Sequence, residues 1–317
     1  MKKYILLLVG LAAFAQQPTK RIEFEAPGTY PEGVVYDNAT GVYYVSSARL
    51  GTVGKVTKDG KYSVLYEDKS LKSTYGVKVH PDGKRLFVCA GNANYSIYST
   101  PATKKKEARM LIIDLKTGKK LSDVDLSVLV PGEHFPNDIA FDTKGNAYIT
   151  DSYAYAVYRV DAAGKATVFS KSELLKCAGV GPNGVVFLPS GALLVANNGS
   201  GALVKIDIAS PANAVKVKID QFFPGADGLL LNDNTTLTLV QNGGVNKVFK
   251  LKTTDNWATA MVSESTAMED RFAYPSTATM AGTDTWIMNA NFSELAEGNN
   301  VPSKKFSIQL AVFKPVK

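Results

Sequence analysis

Cysteine, histidine and tryptophan are each used only twice in 317 residues. So few thiols exclude a disulfide-built scaffold, and Cys89 and Cys177, far apart and without metal or redox spacing, are expected to be unpaired and largely buried. Beyond the first residues, no stretch approaches the twenty apolar residues that a spanning helix needs, so no membrane span is expected. Helical periodicity is also missing. Only 171–177, KSELLKC, could form a single helical turn. The chain carries 36 Lys and Arg against 29 Asp and Glu, a formal charge of +7, but no basic stripe interleaved with aromatics. Nucleic-acid binding is therefore not expected, and the cluster Lys104, Lys105, Lys106 beside Glu107 reads as a solvated loop. With 45% hydrophobic and 21% charged residues, disordered and fibrous classes are excluded too.

What is present begins with MKKYILLLVGLAAFA. Its basic start, apolar run and small-x-small ending at Ala13 and Ala15 have the pattern of a secretory signal peptide over 1–15. The mature chain, 16–317, is then expected to be exported to a periplasmic or extracellular space as one domain. It consists of short runs rich in Val, Ile, Tyr, Thr and Phe, separated by turns containing Gly, Asp or Asn.

These runs repeat. Six segments begin PEGVVYD at Pro31, TYGVKVH at Thr74, PNDIAFD at Pro136, PNGVVFL at Pro182, ADGLLLN at Ala226 and YPSTATM at Tyr274. Their second residues are Glu32, Tyr75, Asn137, Asn183, Asp227 and Pro275. Each opening run is followed by a turn and a second run, such as GNAYITDS or GALLVANN, and then by one or two more. Four short antiparallel strands recurring roughly every 45 residues are the mark of propeller blades. An all-β, six-bladed β-propeller is predicted. The last segment ends with a single strand, FSIQLAVFK, so the N-terminal run KRIEFEAP is expected to complete blade six and close the ring. The extra length of blade two falls in GNANYSIYSTPATKKKEARM, a candidate loop over one face.

The innermost strand of each blade lines the channel, so equivalent positions at its start converge on the axis. There the sequence offers Glu32, Asn137, Asn183 and Asp227. Two carboxylates and two amide carbonyls form a hard oxygen set suited to Ca²⁺, and neither His nor Cys belongs to it. Asn-Gly, Asp-Gly and Glu-Gly pairs also serve simply as turns, which is how HPDGKR at His80, TKDGK at Thr57 and DAAGK at Asp161 are read. The four candidates differ in sharing one phase of the repeat. At the second-strand ends, Tyr153, Tyr155, Asn197, Asn198, Gln241, Asn242, Asn289 and Asn291 are expected to cap strands, some of them on the opposite face.

YPEGVVYD, HFPNDIAFD, GPNGVVFLPSGALLVAN and GADGLLL resemble the inner-strand motifs of the gluconolactonase and senescence-marker-protein (regucalcin) family, and more distantly those of serum paraoxonases and a staphylococcal drug-responsive lactonase. The likeness extends over essentially the whole mature chain, with its specificity in these four motifs. It implies one divalent ion, most simply Ca²⁺, held by Glu32, Asn137, Asn183 and Asp227, and hydrolysis of a lactone or related small ester. Asp227, if loosely held, and His134, three residues before Asn137, are candidates for the base that activates water. The chain departs from the family in blade two, where Ser73, Thr74 and Tyr75 stand in place of the Arg, Asn or His presented there. Tyr75 is expected either to face substrate or to plug the channel. Gly228 stands where paraoxonase-like sites carry an amide. The protein is expected to be a monomer, and the alternative is a non-catalytic binding or scaffold propeller whose ion is structural.

Overall fold

The computed structural model describes residues 20–296 and 302–316. The leader expected at 1–15 lies outside them. Six antiparallel sheets account for nearly all the regular structure. Blade one comprises Val34–Asp37, Val42–Val45, Val53–Val56 and Tyr62–Tyr66; blade two, Ser73–Val79, Arg85–Gly91, Ala108–Asp114 and Lys120–Asp125. Blade three is Pro136–Phe141, Ala147–Asp151, Ala156–Val160 and Ala166–Ser170; blade four, Pro182–Leu188, Ala192–Asn197, Ala202–Asp207 and Ala214–Lys216. Blade five holds Ala226–Leu231, Thr236–Gln241, Lys247–Lys252 and Met261–Thr266, and blade six Pro275–Ala281, Asp284–Asn289 and Lys305–Leu310. The first strands of neighbouring blades touch in sequence around the ring, blade six against blade one included.

Burial explains the patterning. A first strand is covered on both faces, so Pro182–Leu188 is buried along almost its whole length and reads as a continuous apolar run. The segment Arg21–Glu25 alternates instead, with Ile22 and Phe24 inward and the charged residues outward. It pairs antiparallel with Lys305–Leu310, Phe24 opposite Phe306, and so becomes the outermost strand of blade six. The first described strand and Lys305–Leu310, from near the other end of the chain, thus share one sheet. Apolar layers between blades hold the rest, for example Leu194, Phe223, Leu239 and the fully buried Trp257 between blades four and five.

Two details correct the sequence reading. FSIQLAVFK is not one strand: the chain breaks after Leu310, where the Ala311 N–H donates to the Thr285 carbonyl. Phe313–Pro315 then pairs with Met261–Thr266 as a fifth strand of blade five, an edge position that tolerates proline. In blade six the residue in phase with Asn137 is Ser276, not Pro275, because Pro275 pairs across from Asn289 as Pro136 does from Asp151. The 171–177 turn contains a short 3-10 helix, Glu173–Leu175. Cys89 is buried and Cys177 half-buried, both free, with the Cys177 thiol donating to the Val180 carbonyl.

Candidate metal and ligand site

The first strands of blades two to six share an irregularity. Between Thr74 and Val77, Pro136 and Ile139, Pro182 and Val185, Ala226 and Leu229, and Pro275 and Ala278, the register slips by a bulge. The residues inside it include Tyr75, Asn137, Asn183, Asp227 and Ser276. A bulge re-aims a side chain out of the pleat, and here it does so at one level of the ring. In blade one Glu32 stands two residues before the strand, and its N–H and that of Gly33 both donate to Ser46 Oγ. The ring closes when Ser276 Oγ donates to the Glu32 carbonyl at 2.6 Å.

The residue after each bulge position is held against the next blade. In blade three that place is taken by Asp138, whose carboxylate accepts the Ile139 N–H at 2.8 Å and the Val185 N–H at 3.2 Å. This third acid of the channel went unremarked in the sequence because it stands in the glycine phase of the motif.

Glu32, Asn137, Asn183 and Asp227 come together at one cavity of about 330 Å³, and each is buried. Three buried oxygens there have no hydrogen-bond partner among the described residues: Glu32 Oε2, Asn137 Oδ1 and Asn183 Oδ1. Leaving buried acceptors unpaired is costly. The carboxylates are in tension as well. Burial, then the charges of Asp227 and Asp138, push the Glu32 carboxyl well above its ordinary value. Burial and the Asp138 charge do the same to Asp227, against the pull of hydrogen bonds from Asn183 and Asn242. Among the described residues, no three His, Cys, Asp or Glu side chains form a metal-holding group by themselves. The set therefore fits a hard cation only as a mixed carboxylate and amide shell.

The walls come from residues that sequence reasoning placed elsewhere or passed over. Antiparallel pairing sets the end of a second strand beside the start of the first, Asn197 opposite Pro182 and Gln241 opposite Ala226. The second-strand ends are thus on the cavity face, not the opposite one. Asn198 and Asn242 line the cavity, and Asn242 Nδ2 donates to Asp227 Oδ2. Their neighbours do cap: Asn197 donates to the carbonyls of Leu174 and Leu175, Gln241 to that of Pro224. The blade-two insertion contributes Asn94 and Tyr95, as its position suggested. Tyr153 anchors that loop, its hydroxyl donating to Asn94 Oδ1 and its ring lying 4.2 Å from Lys105 Nζ. Phe292 packs at a tilt against both Tyr95 and Tyr274, with centroids at 4.6 and 5.5 Å, and Phe135 also lines the cavity.

His134 and Tyr75 do not line the cavity. His134 is 2% exposed, and its Nδ1 lies 2.7 Å from Asp151 Oδ2. Asp151 also accepts the Phe135 N–H, the Ala154 N–H and the Tyr158 hydroxyl, so the pair belongs to a buried network that fixes the Phe135 wall. Tyr75 is buried too. Its hydroxyl accepts the Ala93 N–H, and its ring meets Phe135 edge to face at 4.7 Å.

No protein-family model matches the sequence, and no curated protein matches it. Solved structures do share the fold. The major allergen Mala s 1 of Malassezia sympodialis aligns over 94% of this chain and 97% of its own, with TM-score 0.72 and 18% identity. A structure described as a candidate gluconolactonase aligns over 95% of both chains, at TM-score 0.58 and 18% identity. A luciferin-regenerating enzyme covers 94% of this chain and 99% of its own, at TM-score 0.61 and 15% identity. Identities this low establish a common six-bladed propeller fold and no more.

Proposed function

We propose that this chain is an exported hydrolase of a lactone or related small ester, dependent on a divalent cation such as Ca²⁺ at the channel floor. The observation that carries this reading is the set of three unpartnered buried oxygens on Glu32, Asn137 and Asn183 beside the buried Asp227 carboxylate. Glu32, Asn137, Asn183 and Asp227 would hold the ion. When bound, it supplies a Lewis acid for the substrate carbonyl and offsets the repulsion among the three channel acids. The chain's own groups do the rest. Asn242 and Asn183 orient the Asp227 carboxylate, which is the group placed to take a proton from water at the cavity floor. Tyr95, Phe292, Tyr274 and Phe135 form apolar walls that hold the body of a small ester and exclude bulk water. His134, turned to Asp151, acts on the site through the Phe135 wall and not as a base.

One observation favours the rival, a binding propeller with a structural ion: with His134 outside the cavity, Asp227 must serve as both ligand and base. Hydrolysis of a panel of sugar lactones, acyl lactones and aryl esters, with Ca²⁺ and after chelation, separates the two. Ca²⁺-dependent turnover lost in Asp227→Ala supports the hydrolase. No turnover on any member, with chelation still lowering Tm, moves the assignment to the binding protein.

A further inference from the structure

We propose that a second site, the cleft between blades three and four at the end of the ring away from the central cavity, binds a small carboxylate carrying a flat apolar body, with Arg159 as its anion-binding group. The cleft encloses about 500 Å³, more than the central cavity. Its polar side is built on blade three. Arg159 sits in register between Tyr148 on one neighbouring strand and Thr167 on the other, so all three side chains share the face turned to blade four.

Arg159 is half-buried and makes no ion pair among the described residues. Its Nη2 donates to Asn146 Oδ1 at 3.1 Å, while its Nε–H is buried without a partner. The adjacent carboxylate does not serve it. Asp142 already accepts the N–H groups of Lys144 and Asn146 on Oδ1, and Asn146 Nδ2 and the Tyr148 hydroxyl on Oδ2. A half-buried guanidinium with no carboxylate partner, one of whose N–H groups is desolvated and unpaired, is matched by a planar carboxylate.

The other walls are apolar and define the rest of the ligand. Tyr148 and Phe169 meet edge to face at 4.9 Å, and Phe187 and Ile208 of blade four close the opposite side. Among the described residues, a Cβ on Gly191 in the blade-four turn would meet no atom within 4 Å. An aromatic or branched acyl group fits such walls, and Lys144, which also lines the cleft, adds a second cation for the carboxylate.

Benzoate is the probe, titrated calorimetrically into the purified protein with benzyl alcohol as its uncharged counterpart. Saturable benzoate binding is expected, with benzyl alcohol weaker by about tenfold or more and Arg159→Gln weakened by about tenfold, the loss of one charge-assisted hydrogen bond. Glu32→Gln, at the central cavity, should leave the affinity unchanged. No saturable heat, or full affinity in Arg159→Gln, overturns the proposal, the latter by placing benzoate elsewhere. If Arg159→Gln does not fold, Arg159→Lys keeps the charge and loses the planar edge, and wild-type affinity in that variant is equally contrary.

Discussion

Gly184 lies against the backbone of Asp227 in the next blade: a Cβ on Gly184 would stand 2.3 Å from the Asp227 carbonyl oxygen. The contact recurs around the ring. A Cβ on Gly33 would reach the Tyr75 carbonyl at 2.4 Å, one on Gly76 that of Asn137 at 2.3 Å, and one on Gly228 that of Ser276 at 2.6 Å. The glycines that follow Glu32, Tyr75, Asn183 and Asp227 therefore set how closely those blades pack at the axis, and so how closely their oxygens converge.

Gly184→Ala should accordingly destabilise the protein by about 3 kcal/mol or more, since backbone must move to admit the methyl group. Gly191→Ala is the comparison. Its φ is +87° but no atom lies within 4 Å of its Cβ position, so only a strain of about 1 kcal/mol is expected. Chemical denaturation of both variants checks this, and equal losses would contradict the packing role.

The channel acids give the metal-free protein a distinctive pH dependence. Burial and mutual repulsion raise the Glu32 and Asp227 carboxyls in the folded state. Above the ordinary carboxyl range, about pH 4, the unfolded chain releases protons that the folded chain retains. This contribution to stability is therefore full below that range and is lost as pH rises toward the raised folded values. After chelation, Glu32→Gln should raise Tm at pH 7.5 relative to wild type, with the difference shrinking toward pH 4.5. Added Ca²⁺ should reverse the order. A Glu32→Gln protein no more stable than wild type after chelation would count against the repulsion.

Asp151 gathers His134, the Phe135 and Ala154 N–H groups and the Tyr158 hydroxyl while fully buried. Asp151→Ala strands these partners and should cost about 3 kcal/mol. If His134 acts only through this network, His134→Ala should lower Tm and leave the dependence of any turnover on Ca²⁺ concentration unchanged. A shifted Ca²⁺ dependence would place His134 nearer the ion.

Removal of the chain through Glu25 strips the outer strand from Lys305–Leu310 and uncovers the Phe24 and Phe306 contact. The exposed edge invites pairing between molecules. Size-exclusion chromatography should show oligomers or aggregates, and a stable monomer of unchanged Tm would contradict the closure role.

Much of this was legible in the sequence because propeller blades repeat their chemistry in phase. PEGVVYD, PNDIAFD, PNGVVFL and ADGLLLN align on Glu32, Asn137, Asn183 and Asp227, and the fold brings those four side chains to one cavity. The closing strand was visible as well, since Ile22 and Phe24 alternate with charge and blade six lacked an edge. The walls were harder. Asn198 and Asn242 are local capping residues by type, and only the antiparallel pairing of first and second strands places them beside the bulge. Asp138 was hidden by its phase, and Tyr95, Tyr274 and Phe292 by lying in loops of irregular length. The burial of His134 was hidden for a different reason: its partner, Asp151, is 17 residues away and joined to it only by the sheet.

The channel oxygens are expected to hold a divalent cation. Calorimetric titration of Ca²⁺ into the chelated protein tests it most directly, with Asn183→Ala and Asp227→Ala beside wild type. One saturable site, weakened in Asn183→Ala and abolished in Asp227→Ala, is the expected result. No saturable Ca²⁺ binding by folded wild-type protein, or binding that both variants retain in full, would contradict it.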